Sequence, residues 1–289
     1  MGHRAKATPS RVFHRENMRR LKPARAPIDC RSMFGLDPFH LALAVAITLF
    51  SGFVKGAIGF AMPMIMLSAL GSFLTAQQAV AAVILPVLIT NIRQALRQGW
   101  GPAWAATWAY RWHIGMVVLF IPVSAFFATR VPQWAMYALI GVPITLYAGW
   151  QLMGRSLALP IHHRRRAEIA TGIVGGLIGG VSGIWGPPLL VLLLSLHAPK
   201  DEQMRVQGVV FFIGAAVLTV SHLNSGLLNA QTLPFSAMLV VPAIIGMGLG
   251  YLAHDRLDIS QFRRWTLILL VATGLNLIRR ATELLGAPT

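Results

Sequence analysis

The chain has 289 residues, 55% of them hydrophobic and 12% charged, with a formal net charge of +16 and a mean hydropathy of +0.63. A soluble domain carries about a quarter charged residues, so the composition excludes an ordinary globular protein and predicts an all-α integral membrane protein. The basic residues cluster between apolar runs and in the N-terminal tail, as orientation signals do, which argues against a nucleic-acid partner; the one cysteine, Cys30, excludes an internal disulfide or a Cys-rich metal site.

Residues 1–37 are polar, with Arg4, Lys6, Arg11, Arg15, Arg19, Arg20, Lys22, Arg25 and Arg31. They read as a disordered cytoplasmic tail held against anionic headgroups. Met18 and Met33 are alternative starts. No cleavable signal sequence is expected, because the first apolar run is too long for one.

Eight apolar runs follow at about the length a bilayer demands: Phe39–Leu70, Ala76–Ala95, Ala106–Phe127, Pro132–Leu152, Ile169–Leu196, Val206–Leu223, Leu233–Ala253 and Trp265–Ile278. The first and fifth are overlong, and each contains a helix breaker. In the first it is Lys55-Gly56-Ala57-Ile58-Gly59-Phe60-Ala61-Met62-Pro63, in the fifth Ser182-Gly183-Ile184-Trp185-Gly186-Pro187-Pro188. Proline lacks an amide donor and disfavours helical conformation in the residue before it. In hydrocarbon, irregular backbone survives only where protein or a watery cavity satisfies it, so two broken helices in corresponding places point to a transporter's substrate site.

A gapless shift of 127 residues superposes Gly52 on Gly179, Gly56 on Gly183, Gly59 on Gly186 and Gly99 on Gly226. The chain is therefore expected to hold two repeated halves, 38–153 and 169–280, joined by a basic cytoplasmic loop at 154–168. Whether the halves are parallel or inverted stays open. Gly172, Gly176 and Gly180, like Gly246 and Gly250, have the spacing of close helix–helix contact. Counting basic residues loop by loop, with each overlong run taken as one crossing, places both termini in the cytoplasm.

None of the nine acidic residues falls at membrane depth, which argues against a cation as substrate and against a carboxylate proton relay. Lys55 is the intramembrane charge and is expected to contact an anion beside helix-terminal amides; the plainer alternative is a lysine reaching to the interface. Arg93 and His222 are candidates near matching run ends, against the alternative that each is simply hydrogen-bonded at the membrane edge. Ser182 either faces the same space or bonds its own backbone. Trp185 walls a pocket or packs. His162-His163 lacks a third ligand and makes a poor metal site, and no motif for an enzyme appears.

At the two breaks the sequence resembles the sulfite exporter TauE/SafE family. Gly183-Ile184-Trp185-Gly186-Pro187-Pro188-Leu189-Leu190-Val191-Leu192 is similar to that family's glycine-rich stretch ending in Gly-Pro-Pro, and Gly52-Phe53-Val54-Lys55-Gly56-Ala57-Ile58-Gly59-Phe60 to its opening motif. The resemblance covers roughly 39–278 and implies a cytoplasmic-membrane transporter of sulfite, sulfonates or related small anions. The expected protein is a bacterial inner-membrane exporter working by alternating access, with no cofactor or metal and no enzymatic activity. Its substrate would be held by Lys55, Gly56, Gly59, Ser182, Gly183, Trp185, Gly186, Arg93 and His222. An anion channel and a non-transporting scaffold are the rivals; proton or sodium coupling and the oligomeric state stay open.

Overall fold

A computed structural model describes residue 2, residues 35–253 and residues 258–286. The tail, Cys30, the two alternative starts and Arg256 therefore lie outside the described residues, apart from 35–37 at the tail's end. Among the described residues the protein has eleven α-helices and no strand. They are α1 (Pro38–Ile58), α2 (Met62–Leu70), α3 (Ala76–Ala95), α4 (Trp100–Ala109), α5 (Arg111–Ala125), α6 (Gln133–Leu152), α7 (Arg164–Ser182), α8 (Gly186–Ser195), α9 (Lys200–Ser225), α10 (Thr232–Ala253) and α11 (Ile259–Gly286). By length and composition α1, α3, α6, α9 and α10 can each cross a membrane, and α5 and α8 are shorter apolar helices. The protein is a multi-pass membrane protein.

Three expectations change. The run predicted at Ala106–Phe127 is divided at Tyr110 into α4 and α5. The basic residues Arg164, Arg165 and Arg166 are not loop but the first turn of α7, where Arg164 pairs with the buried Glu168 one turn on, at 2.9 Å. Most consequential, the overlong runs do not continue in one direction past their interruptions. His40 at the start of α1 stacks on Phe73 just beyond α2, ring centroids 5.3 Å apart, so α2 returns to the side from which α1 came. Ser195 at the end of α8 accepts a hydrogen bond from the Leu159 amide, 2.7 Å, so α8 returns to the side where α7 begins. Each run is a helical hairpin, because its breaker reverses the chain instead of merely kinking it.

The two reversals are built alike. Gly59 and Gly183 end α1 and α7 in the left-handed conformation, φ +86° and +73°, and each amide closes the last turn onto a carbonyl four residues back, Lys55 and Gly179, at 2.8 Å. Pro63 and Pro187 then occupy the second position of α2 and α8, where a missing donor costs nothing. In this register the interruptions lie 124 residues apart, not the 127 of the glycine alignment; helix ends and prolines, not glycine identities, set the correspondence.

Small residues bring the helices together as their spacing predicted. A β-carbon on Gly52 would strike the Ala243 carbonyl and one on Gly250 the Phe53 carbonyl, so α1 and α10 touch backbone to backbone. Gly172, Gly176 and Gly180 do the same for α7 against α5. Besides these pairs, α3 packs on α9 and α6 on α11, while α10 covers α3 as α4 and α5 cover α9. Exchanging α1 with α7, α3 with α9, α6 with α11 and α10 with α4–α5 maps these pairings onto themselves. α3 and α9 run antiparallel: Gln98 accepts from Arg205 at 2.6 Å, and a β-carbon on Gly208 would sit 2.8 Å from the Ala95 nitrogen. The exchange fails around α8 and α11: α2 and α3 each touch α6, but among the described residues α8 and α9 make no comparable contact with α11. α2 packs firmly on α11, whereas α8 and α6 are parted by an apolar crevice of about 590 Å³.

Candidate substrate site

The two reversals meet at one cavity. Phe60, Ala61, Pro63 and Met64 line it from the first, Gly183, Ile184, Trp185, Gly186 and Pro187 from the second, and Val87, Tyr147, Gln207 and Phe211 close its sides. It offers about 30 Å³ for the centres of water-sized atoms, room for about two or three waters and so for a small oxyanion. The walls are mostly apolar, but the backbone is not satisfied. Phe60, Ala61 and Trp185 carry amide N–H groups with no acceptor among the described residues. Such donors, at the starts of α2 and α8, carry the positive end of the helix dipole. Among the described residues, the Gln207 amide makes no hydrogen bond and the buried Trp185 indole N–H has no acceptor. An uncharged cavity bordered by unpaired donors suits an anion better than a cation.

Of the nine residues expected from the sequence, Gly183, Trp185 and Gly186 line this cavity. Gly59 borders it: its carbonyl accepts from Gln94 Nε2 at 3.0 Å, and the Met204 side chain covers it. Ser182 takes the plainer role, donating to the Ile178 carbonyl at 2.7 Å and accepting from the Ile184 amide at 3.2 Å. Gly56 faces away, against Met247 and Gly250 of α10. Arg93 is exposed and stacks on Tyr251, 5.6 Å from the ring centroid. His222 is buried near the Gly180 backbone, its Nδ1 3.3 Å from Ser225 Oγ, and does not reach the cavity.

Lys55 lies one turn before Gly59 and is 2% exposed. Its ammonium donates to Thr90 Oγ1 at 3.0 Å and to Asn91 Oδ1. No carboxylate pairs with it, since the ion pairs among the described residues join His40 to Asp37, Arg164 to Glu168 and Arg279 to Glu283. Lys55 is thus a buried charge held by neutral oxygens beside the cavity, not in its wall. Among the described residues no three acidic, histidine or cysteine side chains gather to hold a metal ion.

Gln207, Tyr147, Phe60 and Phe211 were not anticipated. Gln207 had a signal, as a lone amide inside an apolar run; Phe60 stood in the first breaker but not among the expected site residues, and Tyr147 and Phe211 had no signal, because seven of the eight runs contain aromatics.

A family model described as Sulfite exporter TauE/SafE matches residues 44–277, from within α1 to within α11. The chain belongs to the TauE/SafE family. No curated protein and no solved structure matches it. Both reversals fall within the matched span, and TauE/SafE membership makes the protein a membrane transporter of the class that handles sulfite and related anions.

Proposed function

We propose that the protein is a secondary transporter that exports sulfite, a sulfonate or a related small anion across the bacterial inner membrane by alternating access. The observation that carries this is the meeting of two reversed helices, Gly59–Ala61 and Gly183–Trp185, at one cavity with unpaired amide donors. In this proposal the cavity lies within the membrane, and 38–153 and 169–280 are inverted repeats related by a two-fold axis in the membrane plane. The antiparallel α3 and α9 and the exchange of helix pairings support that relation.

The asymmetry around α2 and α8 then has a meaning. Two inverted halves in different conformations open one face and close the other; exchanging the conformations opens the second face. The crevice between α6 and α8 is the open route, and the α2–α11 contact is the closed one. The test is flux of radiolabelled sulfite into proteoliposomes, with sulfoacetate, taurine and simple carboxylates as competitors. A carrier shows saturation and counterflow from preloaded vesicles. Saturable flux without counterflow would mean a channel, and no flux with any of these anions would overturn the proposal.

A further inference from the structure

The cavity's donors are neutral, and Lys55 is already engaged by Thr90 and Asn91. A different cation has a donor to spare. Arg263, in the second turn of α11, is half-buried; one terminal nitrogen donates to Gln151 Oε1 at 3.2 Å, while its Nε–H is buried without an acceptor. The guanidinium lies 5.8 Å from the centroid of the Phe60 ring, which packs edge-on against Tyr147 with centroids 6.4 Å apart. Tyr147 is 5% exposed and its hydroxyl lies close to the same guanidinium, yet it makes no well-aligned hydrogen bond among the described residues. Among the described residues no carboxylate pairs with Arg263. Tyr147 lines both the cavity and the crevice between α6 and α8, so it stands where one passes into the other.

A buried donor without an acceptor is costly, and a half-desolvated guanidinium without a counter-ion more so. Both costs fall if an oxyanion accepts from the two neighbouring groups together. The fork of a guanidinium suits an anion with two or more oxygens, and a phenol O–H supplies a third bond.

We propose that Arg263 and the Tyr147 hydroxyl form the charged wall of the anion site, binding a sulfite, sulfonate or carboxylate as it passes from crevice to cavity. This rests on the transport function proposed above. The guanidinium lies behind the Phe60 and Tyr147 rings and lines neither the cavity nor the crevice in this conformation, so a shift of these rings is what admits the anion to it.

Binding can be measured apart from transport, by titrating the detergent-solubilised full-length protein with sulfite and following its unfolding temperature. The wild type should show a saturable rise. Arg263→Gln should raise the half-saturating concentration by about tenfold or more, the loss of one charge-assisted hydrogen bond. Arg263→Lys, which keeps the charge, should fall between, and Tyr147→Phe, which keeps the ring, should weaken binding several-fold. Equal half-saturation in the wild type, Arg263→Gln and Tyr147→Phe would overturn the site even if flux is present. No saturable rise in the wild type would overturn it as well. The expected order of variants in a protein that shows no flux would support the site and overturn the transport function instead.

Discussion

Lys55 shows how a buried charge separates function from stability. Taking an ammonium out of water costs several kcal/mol, and two neutral oxygens return only part of that. Thr90 does not depend on Lys55, because its hydroxyl also lies 2.7 Å from the Pro86 carbonyl, to which it can donate. Replacing Lys55 by methionine, of similar length and apolar, relieves that cost but takes the Lys55 bond from the buried Asn91 Oδ1, whose amide nitrogen is already unpaired, so the two effects offset and the unfolding temperature should change little. If the positive charge is there to draw anions toward the cavity one turn away, the same variant should raise the KM for flux while sparing the fold. Snorkelling to the interface is excluded by the burial of Lys55 against Thr90 and Asn91, and a lysine that serves only to join α1 to α3 predicts unchanged flux. The sequence made the charge at position 55 plain, since apolar runs rarely contain one. It did not make its partners plain, because Thr90 and Asn91 are 35 and 36 residues away and nothing local ties them to Lys55. Gly56 misled for the opposite reason. A glycine beside a break and a glycine in a helix contact look the same until the neighbouring helix is in place.

The helical hairpins were half legible. Breakers at Gly59–Pro63 and Gly183–Pro188 gave the positions of the interruptions, because proline and left-handed glycine act locally. They did not give the reversal, which depends on tertiary contacts such as that of His40 with Phe73. The contact that closes α2 onto α11 is polar. Ser68 and Thr273 hydroxyls lie 2.9 Å apart, Asn276 donates to Ser72 at 3.0 Å, and Arg280 donates to the carbonyls of Gly71 and Leu74 at the end of α2. Such bonds hold a face shut yet exchange more readily than a packed apolar seam, as a gate must. If α2 leaves α11 in every transport cycle, joining them should stop it. With Cys30 replaced by serine, Ser68→Cys and Thr273→Cys should form a disulfide under oxidation, since their hydroxyls are already in contact. Flux should fall to background on oxidation and return with reductant. Full flux in a protein whose cross-link is verified would show that this contact never opens.

At the scale of the molecule the hairpins change which residues share a side. An overlong run counted as one crossing reverses the side of everything after it; counted as a hairpin, it does not. Arg93, Arg97, Arg111, Arg155, Arg164, Arg165, Arg166, Lys200, Arg205, Arg263 and Arg264 then belong to one face, the one where α3 and α6 end. Arg130, Arg279 and Arg280 belong to the other, with the start of α1. Positive charge near span ends marks the cytoplasmic side. We infer the opposite of the orientation expected from loop counting: the arginine-rich face is cytoplasmic and the end of α11 lies outside. The tail's nine basic residues pull the other way, and a chain begun at Met33 lacks all of them. Alkaline phosphatase, active only outside the cytoplasm, fused after residue 286 of a chain begun at Met33 should therefore be active, while a green fluorescent protein at the same junction stays dark. The crevice between α6 and α8, which opens beside the start of α7, would then face the cytoplasm, the side from which an exporter must load. A dark phosphatase and a bright fluorescent fusion would restore the first orientation and turn the same crevice into an exit.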